Sequence, residues 1–84
     1  MHDIFVKPLD ESNIIYLGYI YSTNTDDIIG SVLYELNKPR DVYNRSYLDI
    51  YKSRYYEIMI ENRYTKDNKS IIYDIIDNKI VEEV

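Results

Sequence analysis

The pattern of apolar and polar residues predicts two strands near the start of the chain. A short apolar run over residues 3–7 stops at Pro8, which is typical of an edge strand. Residues 13–22 are rich in Ile and Tyr and predict a central strand. Gly18 inside that strand indicates a bulge, or a point where another group packs against the backbone. The polar residues 10–13 predict the turn between the two strands.

One main helix is predicted over residues 25–37. Asn24 or Thr25 can accept hydrogen bonds from the first free N–H groups of a helix, and the two acids that follow complement its dipole. The helix ends before Pro39, because the residue preceding a proline avoids the α region. The apolar side chains are spaced by three and four positions, which places them on one stripe: Ile28, Ile29, Val32, Leu33 and Leu36.

Residues 40–53 fit more than one structure. Tyr43, Tyr47, Leu48 and Tyr51 are spaced for a short helix, for which Asn44 or Ser46 could serve as cap. A strand is also allowed, because the side chains at positions 47, 49 and 51 would then lie on one face and those at positions 48 and 50 on the other. We favour a loop followed by a helical turn.

The C-terminal part predicts an antiparallel meander of three strands. From residue 54 the apolar period is two, which indicates a half-buried strand. Two further strands, over 70–76 and 79–84, flank a tight turn at 77–78, and residues 66–69 form a polar turn. One face of the first strand would hold Tyr56, Ile58, Ile60 and Tyr64, and the other Tyr55, Glu57, Met59, Glu61 and Arg63. The expected buried set of the meander is Ile58, Ile60, Ile72 and Val81.

These elements predict one α+β domain over residues 1–84. An antiparallel sheet of about five strands would have one main helix packed on a face, in the order β-β-α-(short α)-β-β-β. Without its 11 tyrosines the apolar set is enough for only a modest core. Several tyrosines must therefore help to fill that core, with their hydroxyl groups reaching water or a partner.

Charge is uneven along the chain, whose formal net charge is −5. Residues 1–37 hold one cation against six acids, residues 38–69 hold eight cations against five acids, and residues 70–84 hold one cation against four acids. A basic, tyrosine-rich centre thus lies between two acidic ends. This asymmetry separates the functional hypotheses.

Nothing in the sequence indicates catalysis, a metal or a cofactor. His2 is the only histidine and there is no cysteine, so Ser-His and Cys-His arrangements lack their parts. The acids after Asn24 are explained by helix capping. On one strand, Glu57 and Glu61 would lie ~13 Å apart, beyond the ~5–9.5 Å between the carboxyl groups of glycosidase pairs. We therefore expect no catalytic residue and no enzyme.

The same composition predicts a cytoplasmic protein with no membrane span. The N-terminus lacks the basic and apolar regions of a signal peptide. No run approaches the ~18 apolar residues of a spanning helix. The absence of cysteine fits a reducing compartment.

Two binding hypotheses remain, beside a self-assembling structural subunit such as a homodimer. In the first, the basic centre binds single-stranded nucleic acid through cations on phosphates and rings on bases. The cations are Arg45, Lys52, Arg54 and Arg63. The overall acidity opposes this hypothesis, because a negative field slows approach to a polyanion.

In the second hypothesis, which we favour, carboxylates and tyrosines bind a basic protein surface. Its predicted contact residues are Tyr47, Tyr51, Tyr55, Glu57 and Glu61.

In size, acidity and A/T-rich composition the chain resembles the small inhibitors that phages and mobile elements carry against host defence, including anti-CRISPR and anti-restriction proteins. Ile, Tyr, Asp, Asn and Lys, which all have A/T-rich codons, make 47 of its 84 residues. The resemblance covers the whole chain, rests on no motif and transfers no functional residue. It implies a stoichiometric, non-enzymatic inhibitor that occludes a nucleic-acid or effector site in the host cytosol. The positive charge of the basic centre is not expected of a protein that imitates the negative charge of DNA alone.

Overall fold

Five strands and two helices form an α+β fold in the computed structural model, which describes residues 1–83. The strands make one antiparallel sheet in the order β2-β1-β3-β4-β5. The predicted fold class and order of elements are confirmed. The final predicted strand included Val84, which lies outside the described residues. The elements are β1 (His2–Pro8), β2 (Ile15–Ile20), α1 (Thr25–Asn37), α2 (Tyr47–Tyr51), β3 (Tyr55–Asn62), β4 (Asn68–Asp74) and β5 (Lys79–Glu83).

The predicted positions of the first two strands in the sheet are wrong. β1 lies between β2 and β3, and β2 forms an edge. Pro8 does not require an edge because it is the last residue of β1, where its missing N–H interrupts no continuing ladder. The expected bulge is present in β2: Ile4 pairs with Gly18 and Phe5 with Tyr16, which leaves one extra residue between them. Gly18 has φ +118°, a value that L side chains rarely adopt.

Helix α1 covers one face of the sheet, and its observed bounds are the predicted ones. The Asn24 side chain accepts hydrogen bonds from the N–H groups of Asp26 and Asp27. The apolar stripe of α1 packs against alternate residues of the strands. The buried core consists of Ile4, Val6, Ile28, Ile29, Val32, Leu36, Tyr56, Ile58, Ile60, Ile71 and Tyr73. No helix among residues 1–83 has the length and apolarity needed to cross a membrane.

Residues 40–53 form a loop and one helical turn, as we favoured. Ser46 begins α2 with a capping box, in which its hydroxyl accepts from the Asp49 N–H and the Asp49 carboxylate accepts from the Ser46 N–H. Lys52 ends the turn in the left-handed conformation. Tyr47 and Leu48 pack against the core, so α2 extends the helical layer beside α1.

Strand β3 has the predicted alternation but is shorter than expected. It ends at Asn62, whose side-chain oxygen accepts from the N–H groups of Tyr64 and Thr65. Tyr64 therefore lies in a turn, 74% exposed, and does not join Tyr56 and Ile58 on the core face.

The predicted faces of the last two strands are wrong. Ile71 is directly opposite Ile58 and fully buried, whereas Ile72 is opposite Glu57 and only half-buried. Opposed residues of an antiparallel pair share a face, so β4 directs Ile71 and Tyr73 into the core. A bulge then leaves Val81 45% exposed, and Ile80 is opposite Tyr73.

Candidate functional site

The sheet face opposite α1 is covered by neither of the two helices in residues 1–83. We call it the open face. The strand registers place on it the residues that alternate with the core positions. Its apolar and aromatic members are Phe5, Tyr16, Tyr19, Tyr55, Met59 and Ile72. Its polar members are Asp3, Lys7, Glu57, Glu61, Asn68, Ser70, Asp74, Lys79 and Glu82.

A hydrogen-bonded cluster fixes the β2 side of the open face. Arg63 Nη2 donates to Asp3 Oδ1 at 2.7 Å, and the Tyr16 hydroxyl donates to the same oxygen at 2.8 Å. The Arg63 guanidinium also lies 5.0 Å from the ring centroid of Tyr19, within cation–π range. The Tyr16 ring contacts Phe5 at a centroid distance of 5.2 Å. These contacts orient five aromatic and charged side chains before any partner binds.

The hydrogen bond from Arg63, followed by that from Tyr16, lowers the pKa of Asp3 from 3.8 to about 2. The hydrogen bond that the Tyr16 hydroxyl donates to the Asp3 carboxylate raises the pKa of that hydroxyl. Asp3 therefore stays ionised throughout the neutral range, and its charge is satisfied within the protein.

This cluster predicts a specific pH dependence of stability. The pKa of Asp3 is lower in the folded than in the unfolded protein. Its contribution to the free energy of unfolding is therefore complete above about pH 4 and is lost as the pH falls towards about 2. We expect Asp3→Asn to be less stable than the parent protein at neutral pH, with a difference that closes towards about pH 2. Urea unfolding over this pH series measures it, and Asp67→Asn, at an exposed turn, is the control. An Asp3→Asn difference that stays constant down to about pH 2 would contradict the assignment.

Two carboxylates, Glu57 and Glu61, stand near the middle of the open face, and Lys7 on the neighbouring strand is directly opposite Glu57. Glu57, on the central strand, forms no ion pair within residues 1–83, and the nearest cation of Glu61 is Lys66 at 3.9 Å. Glu61 is also directly opposite Asp3. Like charges opposed on a sheet are destabilising, so the cross-strand pairing of Glu61 with Asp3 does not stabilise the sheet. The side chains of Glu57 and Glu61 are only half-buried and remain accessible to a cationic partner.

The structure divides the five predicted contact residues between two surfaces. Tyr55, Glu57 and Glu61 share the open face, as the period of β3 indicated. Tyr47 and Tyr51 lie on α2 in the helical layer, with ring centroids 6.1 Å apart. The Arg40 guanidinium stacks on Tyr47 at 4.5 Å and pairs with Glu35 at 2.7 Å. The two tyrosines of α2 therefore belong to a separate surface.

All four arginines of the basic centre are held by carboxylates of the same chain. Arg45 pairs with Asp41 at 2.7 Å and Arg63 with Asp3. Arg54 pairs with the buried Asp74 at 3.0 Å and with Asp77 at 3.3 Å. The sequence also predicts that these cations pair with Asp49, Glu57 and Glu61 of the same segment, and that prediction is wrong for the arginines. The hydrogen bond from Arg54 lowers the pKa of Asp74, which keeps this carboxylate ionised.

Sequence reasoning missed the Asp3, Tyr16 and Arg63 cluster. Its ion pair joins residues 60 positions apart, and only the antiparallel pairing of β1 with β3 brings them together. The one available signal was the alternation of β3, which extends to Arg63 on the face of Glu61. In the described part of the chain, no group of three or more His, Asp or Glu side chains is arranged to hold a metal ion.

Comparison with known proteins yields no match of the chain to a protein-family model, a curated protein or a solved structure.

Proposed function

We propose that this protein is a non-enzymatic inhibitor that binds a host defence protein and occludes its basic, nucleic-acid-binding surface. The observation that carries the proposal is the pair of accessible carboxylates, Glu57 and Glu61, within an uncovered aromatic sheet face. Carboxylates accept hydrogen bonds from Lys and Arg, and tyrosines supply stiff anchors at low entropic cost. The compositional resemblance to phage-borne inhibitors supports the same function.

Tyr55 is the expected anchor of the contact. It is half-buried beside Glu57 on the same face, and the Arg54 guanidinium lies 5.3 Å from its ring centroid. Aromatic residues at the centre of an interface commonly supply the largest share of the binding energy, whereas exposed charges mainly raise the association rate. Binding should consequently weaken with salt while depending on a few side chains.

A nucleic-acid-binding function is the second candidate, and the loop before α2 favours it. Tyr43 is 76% exposed and the Arg45 guanidinium lies 5.4 Å from its ring centroid, an arrangement that could stack a base. The internal pairing of Arg45, Arg54 and Arg63 opposes it. Each phosphate contact by one of these arginines would require an existing ion pair to break or be shared.

We predict no binding of the purified protein to single- or double-stranded DNA or RNA at near-physiological salt. The 15 acids outnumber the 10 cations of the chain, and three of the four central cations named above are paired internally. A mobility-shift titration tests this. Micromolar binding that decreases with salt at a slope of about −0.7 per phosphate contact, and that is lost on Arg45→Glu, would favour the second candidate instead.

The proposed function is tested by immobilising the protein and applying the heparin-retained fraction of a bacterial extract. We expect a basic protein to be retained near a 1:1 ratio and to be released by a DNA oligonucleotide. Retention that DNA does not affect would contradict occlusion of a nucleic-acid site. A column of the Glu57→Lys/Glu61→Lys protein is the control for charge on the open face.

A further inference from the structure

Every arginine among residues 1–83 contacts both a carboxylate and a tyrosine ring. Arg63 donates to Asp3 and lies 5.0 Å from the ring centroid of Tyr19. The other three sets are Arg40 with Glu35 and Tyr47, Arg45 with Asp41 and Tyr43, and Arg54 with Asp74 and Tyr55. A carboxylate accepts hydrogen bonds from a guanidinium, and the face of an aromatic ring attracts its charge. The chain therefore holds each of its own guanidinium groups in the same way.

A cavity of about 360 Å³ on the open face also combines a carboxylate with an aromatic ring. Phe5, Met59 and Ser70 cross its floor, because they are directly opposite one another on β1, β3 and β4. Glu61 and Asn68, which are opposite each other, line its polar end. The cavity thus has an apolar wall beside a carboxylate, an amide and a hydroxyl that can accept hydrogen bonds. A side chain with an apolar stem and a cationic tip matches this arrangement.

Glu61 is able to accept from a further cation. Its nearest cation is Lys66, whose ammonium is 3.9 Å away and whose side chain is 70% exposed. An exposed pair at this distance contributes little. Arg63 is held by Asp3 and lies against a ring of β2, on the other side of β1 from Glu61. The Lys7 ammonium donates to backbone carbonyl groups at the opposite end of β1.

We propose that this cavity binds an arginine side chain of the basic partner. Its methylene groups lie over Phe5 and Met59, and its guanidinium donates to Glu61 and Asn68 on adjacent strands, whose backbones are ~4.8 Å apart. Arginine suits the site better than lysine, because its planar fork donates to two acceptors at once and is more weakly hydrated. This inference rests on the proposed function, since it assigns the arginine to a basic protein partner.

The test follows binding of an acetylated alanine–arginine–alanine amide to the isotope-labelled protein by NMR. We expect saturable shift changes centred on Glu61, Asn68 and Ser70, and nuclear Overhauser effects between the arginine methylene groups and the Met59 methyl. Citrulline, which has the shape of arginine without its charge, should bind about tenfold or more weakly. Lysine in the same peptide should bind about threefold more weakly.

Glu61→Gln keeps the shape of the side chain and removes its charge, so it should weaken peptide binding about tenfold or more. Glu82→Gln, an exposed position of the same face that does not line the cavity, is the matched control and should bind as the parent does. Equal affinity of the Glu61→Gln protein and the parent would overturn the inference, as would equal affinity for the arginine and citrulline peptides.

Lys66→Asn removes the competing cation, and asparagine tolerates the positive φ of this position. We expect peptide affinity to rise about twofold, whereas Lys38→Asn, with the same change of net charge at an exposed site beyond α1, should leave it unchanged.

The inference and the proposed function fail in different ways. A parent protein that binds no arginine peptide but retains a basic protein that DNA releases would overturn the assignment of this cavity and leave the proposed function in place. Binding of the arginine peptide at Glu61 without retention of any basic protein would instead reject the proposed function, and with it the partner to which the arginine is assigned.

Discussion

Ile71→Ala is expected to lower the free energy of unfolding by about 2–5 kcal/mol and the melting temperature by about 10–30 °C. Ile71 is fully buried on β4, directly opposite Ile58, and removal of its side chain leaves a cavity beneath α1. A domain of this size is held by only about 5–15 kcal/mol, so the loss is a large fraction of the total. Thermal and urea unfolding measure both quantities.

Ile72→Ala is the matched control for this prediction. The same substitution one position away removes a half-buried side chain from the open face, where solvent replaces the lost contacts. We expect a cost of about 1 kcal/mol or less. Equal destabilisation by the two substitutions would mean that the faces of β4 are not as described.

The second large effect is expected at the open face. Glu57→Lys/Glu61→Lys should weaken retention of the basic partner about 100-fold or more, because it removes two acceptors and sets like charges against the partner. Tyr55→Ala should weaken the complex while leaving the melting temperature nearly unchanged. Affinities come from titration of the released partner at two salt concentrations.

Asp67→Lys/Glu83→Lys is the control for the double charge reversal. It changes the net charge by the same amount at exposed positions outside the open face. We expect it to alter the association rate and its salt dependence, with little change in the dissociation rate. Equal weakening by both double variants would show that long-range charge, rather than the open face, determines binding.

The elements with strong local signals could be predicted from the sequence. α1 has a polar cap, acids in its first turn, a regular apolar stripe and a following proline, and these signals agree with one another. β3 alternates cleanly, which was enough to place Glu57 and Glu61 on one face. In each case the information lies within a few residues of the element it determines.

The remaining features depend on contacts that local patterns do not contain. Isoleucines occur in adjacent pairs in β4 and the turn after it, so neither face is favoured by alternation, and the register with β3 decides that Ile71 is buried. The richness of β2 in apolar residues suggested a central strand, although its tyrosines are exposed on an edge. The pairing of Asp3 with Arg63 needs the complete sheet.

The most direct test of the account is a displacement titration on the retained partner. The partner is first saturated with a fluorescein-labelled DNA oligonucleotide, and this protein is then added while anisotropy is followed. Occlusion predicts that anisotropy falls to the value of the free oligonucleotide with a break near one equivalent, and that Glu57→Lys/Glu61→Lys has no effect at that ratio. Retention of the oligonucleotide by the partner at saturating protein, or its full release by far less than one equivalent, would contradict a stoichiometric inhibitor.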